Sequence, residues 1–225
     1  MGRLCSSRYE RQARRLGHAR VAGVDEVGRG SLFGPVVAAA VILDPSRQIR
    51  GLDDSKKLRP ERREELAVRI RERALGWAVA EVDADRIDAW NIHRASCQAM
   101  LHALAELKVT PDYLLIDAVR LETAIPQKPL IHGDARSISI AAASIVAKQW
   151  RDRLMDRWAG VYPQYGFDHN RGYATADHLQ ALRQFGPTPH HRFSFAPVRQ
   201  AGCWAASAIQ TNLPLAPARP GDAAE

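Results

Sequence analysis

The segment from Val21 to Gly34, read as VAGVDEVGRGSLFG, constrains the fold of this chain more than any other stretch. It opens with an apolar run that predicts a buried strand over 21–24, and the β-branched run PVVAAAVIL predicts a second strand over 35–43. A glycine-rich turn separates the two runs. The spacing therefore predicts two strands that flank a turn in which the backbone has unusual conformational freedom.

Two adjacent acids, Asp25 and Glu26, follow the first apolar run, and the Gly-Arg-Gly turn (Gly28, Arg29 and Gly30) follows them. Carboxylates can ligate a divalent metal ion, while glycines let backbone N–H groups come close to a sugar-phosphate. The pattern suits a site that holds metal beside a phosphodiester. The alternative for an isolated Asp-Glu pair is a strand that simply ends in a polar turn.

Elsewhere, strands alternate with helices along the chain. The predicted helices cover 60–75, 85–108, 139–158 and, after an N-cap at Thr175, 176–185, and the predicted strands cover 77–82, 113–116 and 129–132. The pattern predicts an α/β fold with a mixed central β-sheet flanked by helices and with a helical C-terminal portion. The helix that begins near Ser139 opens with small residues, which predicts a close approach to the sheet.

Two further acids stand at comparable positions, because Asp117 ends the run YLLI and Asp134 lies in the loop before the small-residue helix. Carboxylates at strand ends converge on one edge of a sheet, where Mg²⁺ or Mn²⁺ would offset their repulsion. Two such ions would activate a water and stabilise the leaving oxygen of an in-line displacement. Since neighbouring strand residues point to opposite faces, Asp25 and Glu26 share one site only if the strand ends or distorts there.

Composition restricts the class of protein. The chain of 225 residues is 46% hydrophobic and 25% charged, which is typical of a soluble globular fold, and its net charge of +7 favours a polyanionic partner. Three widely spaced cysteines, Cys5, Cys97 and Cys203, argue against a disulfide framework. No apolar run is long enough for a membrane helix, so we expect a cytoplasmic protein.

Six motifs occur along the chain in a fixed order, and together they resemble the bacterial ribonuclease HII family over about 21–198. They are VAGVDEVGRGSLFGPVVAAAVIL, DDSKKL, LLIDAV, HGDARSISIAAASIVAKQWRDR, YGFDHNRGYAT and GPTPHHRFSFAPV. The resemblance implies an RNase H-like fold and a metal-dependent endonuclease that cleaves the RNA strand of RNA–DNA hybrids. It also implies incision on the 5′ side of single ribonucleotides in duplex DNA, with 5′-phosphate and 3′-hydroxyl ends.

The same resemblance assigns roles to individual residues. It implies that the catalytic acids and metal ligands are Asp25, Glu26, Asp117 and Asp134, with two Mn²⁺ or Mg²⁺ ions bound during catalysis. It implies that the substrate is contacted by Gly28, Arg29, Gly30, Ser55, Lys56, Lys148, Arg171 and Tyr173. The Gly-Arg-Gly turn would read the 2′-hydroxyl and its phosphate, and Tyr173 would pack on the following deoxyribose. Lys148 and Arg151 would add positive charge near the phosphates.

The resemblance also divides the chain into a basic N-terminal segment (1–20), a catalytic domain (21–200) and an Ala- and Pro-rich tail (201–225) that we expect to be disordered. Its expected partners are RNA–DNA hybrid and ribonucleotide-containing duplex DNA, with no membrane, and the enzyme is expected to be a monomer. Docking on a replication clamp through the tail stays open, and QTNLPL from Gln210 is the segment that a deletion would test.

Other charged residues are expected to serve the structure. The N-terminal arginines are predicted to form a solvated face on a short helix, and Asp53 and Asp54 are predicted to be ordinary loop residues. Asp152 is expected to pair with a neighbouring arginine. The histidines show no paired metal-ligand spacing, and His191 with Arg192 is expected to order the C-terminal loop and not to transfer a proton.

Two other functions stay open. A different nuclease of the RNase H-like superfamily would use the same acids, but it would have no need of the Gly-Arg-Gly turn or Tyr173. A non-catalytic module that binds RNA–DNA hybrids would account for the positive charge, but it would leave four clustered acids unexplained.

Overall fold

The structure is a computed structural model, and it describes residues 5–202. Five strands form one sheet with the spatial order β3-β2-β1-β4-β5. β1, β4 and β5 are parallel to one another, whereas β2 is antiparallel to both of its neighbours, so the sheet is mixed as predicted. The strands are β1 Val21–Val27, β2 Val36–Ile42, β3 Gly76–Val82, β4 Tyr113–Asp117 and β5 Gln127–Leu130.

Helices cover both faces of the sheet. The α-helices are α1 Arg8–Arg15, α2 Pro60–Arg73, α3 Ala84–Trp90, α4 Ile92–Ala105, α5 Ile138–Val161, α6 Phe167–Asn170 and α7 Ala176–Phe185, and residues 196–202 are helical as well. One apolar core lies between the sheet and α4, and a second lies between the sheet and the pair α2 and α5. None of these helices has the length and apolarity that crossing a bilayer requires.

The sequence of strand β2 is continuously apolar because both of its faces are buried. Ala38 and Ala40 belong to the core on the α4 side, whereas Ala39 and Val41 belong to the core on the α5 side. A strand that is covered on both faces has no solvent-facing positions, so the alternation typical of a half-exposed strand is absent. The run PVVAAAVIL therefore marks the centre of the molecule.

Helix α5 lies directly against β1, as its small residues predict. A Cβ atom on Gly23 would come within 2.0 Å of the Ser139 carbonyl carbon, so only glycine fits at this crossing. The side chain of Glu10 on α1 secures the same end of α5, because its Oε1 accepts hydrogen bonds from Ser137 Oγ (2.6 Å) and Ser139 N (2.9 Å). The start of α5 and the loop before it are thereby fixed next to β1.

Several boundaries differ from the sequence prediction, and three of these differences have a visible structural reason. The helical region 85–108 is broken at Asn91, whose φ is 76° and whose side chain accepts a hydrogen bond from Arg94 N as the N-cap of α4. β5 ends at Leu130, two residues before its predicted end at 132, because His132 has a left-handed backbone (φ 55°) that turns the chain away. β1 continues to Val27, where it still pairs with β2. The expectation that the disordered tail begins at 201 is wrong for its first two residues, because residues 196–202 are helical and Ala201 is buried in the core. The rest of the tail, with its QTNLPL segment, lies outside the described residues.

Candidate active site

The parallel strands bring the four predicted acids to one edge of the sheet, which we call the acid edge (Asp25, Glu26, Asp117 and Asp134). Asp25 and Glu26 lie on β1, Asp117 is the last residue of β4, and Asp134 lies in the short 3-10 helix Gly133–Ala135 after β5. Gly133 N donates to Asp117 Oδ1 at 2.6 Å and ties the end of β4 to that helix. The predicted convergence is therefore present.

Strand β1 does not distort at the two adjacent acids. Asp25 pairs with Ala39 and Glu26 pairs with Ala38 in regular antiparallel register, so the two side chains leave the strand on opposite faces. The pairing between β1 and β4, however, stops at Val24. Beyond that point β1 has no strand partner on its β4 side among the described residues, and, in addition to burial, the charge of Asp117 at the end of β4 raises the pKa of both Asp25 and Glu26.

The acid edge is short of positive charge. Asp25 is only 5% exposed, and burial together with the charges of Glu26, Asp117 and Asp134 raises its pKa well above the ordinary value. Burial likewise raises the pKa of Glu26, although the charge of Arg29 opposes the shift. Burial raises the pKa of Asp134 as well. A divalent cation would favour the ionised form of each of these carboxyls.

The Gly-Arg-Gly turn requires its first glycine. Gly28 has a φ of 92°, and a Cβ atom there would lie 2.3 Å from Arg151 Nε, so neither the backbone nor the space admits a side chain. Arg29 Nη1 lies 3.2 Å from Glu26 Oε1, which couples the turn to the acid edge, and its side chain is 42% exposed. The turn therefore places the Arg29 guanidinium and the exposed main chain of Gly30 beside the carboxylates.

Tyr173 lies next to this turn. A Cβ atom on Gly30 would be 3.9 Å from Cε1 of the Tyr173 ring. Leu32 N donates to Gly172 O at 2.8 Å, so the segment that follows the turn is bonded to the backbone beside Tyr173. The structure thus brings together two motifs that are far apart in the sequence.

The DSKKL loop places one of its two exposed lysines, Lys56, beside the acid edge. The side chain of Lys56 is 80% exposed, and its Nζ lies 4.0 Å from Asp134 Oδ2. Ser55 is only 3% exposed, and its hydroxyl lies 2.7 Å from Ser144 Oγ on α5. In this structure the Ser55 side chain anchors the loop, and Lys56 is the residue of the pair whose side chain is exposed, beside Asp134.

Lys148 and Arg171 converge on one carboxylate. Lys148 Nζ and Arg63 Nη2 each bind one oxygen of Asp152, the latter at 3.0 Å, and Arg171 Nε lies 3.9 Å from it. Arg171 also pairs with Asp156. The predicted pairing of Asp152 with a neighbouring arginine is confirmed. Both predicted phosphate contacts therefore share their charge with acids before any substrate binds.

The expectation that Arg151 adds charge near the phosphates is wrong for this structure. Its side chain is fully buried, and its guanidinium donates to Ser31 Oγ (2.8 Å), to the carbonyl of Arg171 (2.9 Å) and to the carbonyl of Phe33 (3.2 Å). A guanidinium that is already occupied by carbonyl oxygens is not free for phosphate. Its Cζ lies 5.6 Å from the centre of the Tyr173 ring, so Arg151 supports the turn and the ring from behind.

The sequence of this chain matches the family model for ribonuclease HII over residues 22–198. The ribonuclease HII of Koribacter versatilis is 54% identical over 209 residues, which are 93% of this chain and 80% of that relative. The chain belongs to the ribonuclease HII family. It is therefore a ribonuclease H that acts on RNA–DNA hybrids, and a non-catalytic binding module is no longer a sufficient description.

Solved structures agree with this assignment. The ribonuclease H2 of Pyrococcus horikoshii OT3 superposes with a TM-score of 0.71 at 25% identity and covers 86% of this chain and 100% of that chain. The chain matched in the PCNA:RNase HII complex of Archaeoglobus fulgidus superposes with a TM-score of 0.68 at 27% identity. The match covers 79% of this chain and 95% of that chain. The predicted RNase H-like fold is confirmed.

Members of the ribonuclease HII family depend on divalent metal, and the acid edge can be compared with that requirement. Its donors are all oxygen, as Mg²⁺ and Mn²⁺ prefer. Glu26 Oε2 is buried and has no hydrogen-bond partner within residues 5–202, as expected of an atom that awaits a cation. In that same part of the chain, no three Asp, Glu, His or Cys side chains are already arranged to hold one ion. The acids fit in chemistry and charge, but their side chains would have to turn toward the ion.

Some residues near the site were not anticipated. Asp54 was predicted to be an ordinary loop residue, yet after burial its charge is the next largest cause of the raised pKa of Asp134. The only signal was its place in the DDSKKL motif. His178 was not singled out at all, although it lies buried behind Tyr173. The expectation that His191 and Arg192 order the C-terminal loop is confirmed, because both are fully buried and Arg192 binds the Gly34 carbonyl at 3.0 Å.

Proposed function

We propose that this ribonuclease H also incises duplex DNA on the 5′ side of a single embedded ribonucleotide and leaves 5′-phosphate and 3′-hydroxyl ends. In this proposal the acid edge carries the catalytic acids. The Gly-Arg-Gly turn and Tyr173 read the junction between ribose and deoxyribose, and Lys56 meets the substrate backbone.

The observation that carries the proposal is the proximity of the Gly-Arg-Gly turn and Tyr173 beside the acid edge. A Cβ atom on Gly30 would lie 3.9 Å from the ring of Tyr173, and Arg29 lies 3.2 Å from Glu26. A 2′-hydroxyl is the group that distinguishes RNA from DNA at a single sugar. Backbone groups and an aromatic ring at adjacent sugars suit a junction, whereas a nuclease that reads only phosphates needs neither.

The chain's own groups divide the work of recognition. The positive φ of Gly28 turns the backbone so that N–H groups of the turn can donate to a sugar-phosphate. Tyr173 would pack on the deoxyribose that follows the ribonucleotide and would leave no room for a second 2′-hydroxyl. The exposed ammonium of Lys56, near Asp134, would offset the negative charge of the phosphates. We propose that Lys148 and Arg171 support the substrate strand from the positions that their ion pairs with Asp152 give them. Ser55 is proposed to hold the loop that carries Lys56.

We further propose that the acid edge holds two Mn²⁺ or Mg²⁺ ions during catalysis. Its all-oxygen donors and its shortage of positive charge support ions of this type. When bound, they would supply Lewis-acid stabilisation of the charge that develops at the phosphate. We propose that the enzyme works in the cytoplasm as a monomer.

Docking on a replication clamp is a further part of the proposal. The Archaeoglobus fulgidus structure described above is a complex of PCNA and RNase HII. We propose that this chain reaches a clamp through its C-terminal tail, which lies outside the described residues. Deletion of residues 210–225 should abolish clamp binding and leave cleavage of a short hybrid unchanged.

Cleavage of three duplexes tests the proposed reaction. The first contains one ribonucleotide in DNA, the second is a long RNA–DNA hybrid, and the third is all DNA. We expect one cut on the 5′ side of the ribonucleotide, dependent on Mn²⁺ or Mg²⁺ and abolished by EDTA, and no cut in the all-DNA duplex. Cleavage of the long hybrid without any cut at the single ribonucleotide would refute junction reading and leave the ribonuclease H assignment intact.

A variant of Tyr173 makes the assay specific for the proposed reading of the ribose–deoxyribose junction. We expect Tyr173→Ala to lower kcat/KM on the single-ribonucleotide duplex about tenfold or more, because base or sugar packing on an aromatic ring is worth about 1–3 kcal/mol. The loss on a long hybrid should be smaller. Phe193→Ala is the matched control, since Phe193 is an aromatic residue at 44% exposure that is not among the predicted site residues.

A further inference from the structure

Two histidines lie buried behind Tyr173. His178 is on α7 and His191 is in the segment after it, and both side chains are fully buried. The Nε2 atoms of the two rings lie 3.1 Å apart. Two ring nitrogens at this distance form a hydrogen bond only if one carries a proton and the other does not. The hydrogen bond between the two histidines therefore has one donor ring and one acceptor ring.

The groups at the two ends decide which ring is the donor. Thr188 N donates to His191 Nδ1 at 2.9 Å, so this nitrogen is an acceptor and the proton of His191 is on Nε2. His191 Nε2 then donates to His178 Nε2, which leaves the proton of His178 on Nδ1. That nitrogen lies 2.9 Å from the carbonyl oxygen of Tyr173 and donates to it. Every ring nitrogen is used in one consistent chain of hydrogen bonds, from Thr188 to Tyr173.

The surroundings keep both rings neutral and fixed. Burial lowers the pKa of His191 to about 3, with a further contribution from His178, and burial also lowers the pKa of His178. Phe167 and Phe33 meet the rings edge to face, with centroids 5.4 Å from His178 and 4.9 Å from His191. Two polar rings are thus enclosed in an apolar cluster where phenylalanines would pack as well. The pair accepts its hydrogen bonds from Thr188 and, among the described residues, donates one outside the pair, to the Tyr173 carbonyl.

We propose that His178, held by His191, is a positioning residue that fixes the Tyr173 main chain and thereby keeps the ring against the Gly-Arg-Gly turn. The inference rests on the proposed role of Tyr173 as the reader of the junction. The Tyr173 carbonyl accepts a second hydrogen bond from Thr175 N (2.8 Å), and Tyr173 N donates to Asn170 O (2.9 Å). Loss of the His178 bond would leave the ring attached but its position less defined.

A pair of polar variants separates positioning from packing. In His178→Asn the side-chain amide can stand in for Nδ1–H and donate to the Tyr173 carbonyl, whereas in His178→Gln the amide reaches toward the Nε2 position and leaves that carbonyl without its donor. The readout is the ratio of kcat/KM on a single-ribonucleotide duplex to kcat/KM on a long hybrid. We expect His178→Gln to lower this ratio about five- to tenfold and His178→Asn to keep it within about twofold. Equal ratios for both variants and the wild type would overturn the proposal.

A double variant tests whether His178 acts through Tyr173. In the Tyr173→Ala background, His178→Gln should cause no further loss of the ratio, because the ring that it positions is gone. Additive losses would show an independent role and would overturn the proposal. If Tyr173→Ala alone leaves the ratio unchanged, the proposed function fails. If Tyr173→Ala lowers it and His178→Gln does not, only the positioning role fails. Urea unfolding of each variant supplies the fraction folded by which the rates are corrected.

Discussion

Two regions of this molecule bury charge, and they compensate for it in opposite ways. At the acid edge, Asp25 accepts a hydrogen bond from Glu26 N and is otherwise surrounded by other carboxylates. Behind the Gly-Arg-Gly turn, Arg151 is buried more deeply still, but its guanidinium donates to a hydroxyl and to several backbone carbonyls. The first region is left with unbalanced charge, whereas the second is satisfied by the fold itself.

The difference separates functional from structural charge. A buried ion costs several kcal/mol unless its hydrogen-bonding groups are occupied, so a satisfied arginine is evidence for a scaffold. Carboxylates that the fold leaves unsatisfied are evidence for a ligand that is still to come. The two regions nevertheless meet, since Arg151 packs beside Gly28 and Arg192 binds the Arg29 carbonyl at 3.0 Å. The scaffold therefore holds the turn that adjoins the acids.

Neutralising Asp25 should cause the largest loss of cleavage activity among these variants. We expect Asp25→Asn to lower the rate of hybrid cleavage by about 10²–10³-fold or more, because electrostatic stabilisation of the reaction is lost. In EDTA the same variant should be more stable than the wild type, since an unfavourable buried charge is removed. Cleavage rates and urea unfolding measure the two effects.

Asp85→Asn, at an exposed position on α3, is the control for both measurements. It should leave the rate unchanged and the stability within about 0.5 kcal/mol. If Asp25→Asn is less stable than the wild type in EDTA, the carboxylate is already satisfied and the contrast between the two regions disappears.

Removing the buried guanidinium should damage the scaffold. We expect Arg151→Met to lower the free energy of unfolding by about 3 kcal/mol, because the carbonyls of Arg171 and Phe33 and the Ser31 hydroxyl lose their donor. Arg157→Met, at an exposed position on the same helix, should cost less than about 0.5 kcal/mol. Equal stabilities of the two variants in urea would show that Arg151 is not the structural charge inferred here.

The acid edge could be predicted from the sequence because its cause is local. An acid that directly follows an apolar run is expected at a strand end, and the ends of parallel strands meet at one edge. Asp117 does end β4, whereas Asp25 and Glu26 lie within β1, just past its last pair with β4. The same reasoning anticipated the sheet class and most elements, including the close approach of α5 to β1 at Gly23. The roles of the acids came from the resemblance and remain to be tested by the variants above.

The scaffold could not be predicted in the same way. Arginine is usually exposed, and nothing near Arg151 in the sequence shows that its acceptors come from residues more than a hundred positions earlier, such as Ser31 and Phe33. The break at Asn91 was missed for a related reason, since the apolar period continues across it and the cap uses a single side chain. Contacts between distant segments decide both features.

The two regions should also respond to acid in opposite directions. Folded carboxyls with a raised pKa bind protons that unfolded ones release, so the acid edge gains stability as the pH falls from neutral toward the ordinary carboxyl value near 4. His191, whose pKa is lowered from 6.5 to about 3, behaves in reverse, because only the unfolded chain binds its proton in that window. Its contribution should fall by about 2 kcal/mol between pH 7.5 and pH 5.

Urea unfolding in EDTA at these two pH values separates the contributions. Asp25→Asn should lose more stability on acidification than the wild type, since it lacks one of the compensating carboxyls. His191→Gln should lose less, because its side chain does not titrate. A pH response that is identical in all three proteins would mean that neither region titrates as its burial implies.

The smallest effect should come from Lys56, the more exposed of the two cations, Arg29 and Lys56, that border the acid edge. Lys56 lies 4.0 Å from Asp134 with its side chain 80% exposed, so it cannot offset the buried carboxylates in the way that carbonyls satisfy Arg151. We expect Lys56→Met to lower kcat/KM about threefold at low salt through one lost phosphate contact and to reduce the slope of log binding constant against log salt by about 0.9. Lys108→Met, exposed near the opposite end of β4, is the matched control. If both lysine variants lose the same fraction of kcat/KM, Lys56 acts only through the overall charge of the protein. If Lys56→Met lowers kcat/KM as much as Asp25→Asn does, the acid edge depends on a cation that the fold itself supplies.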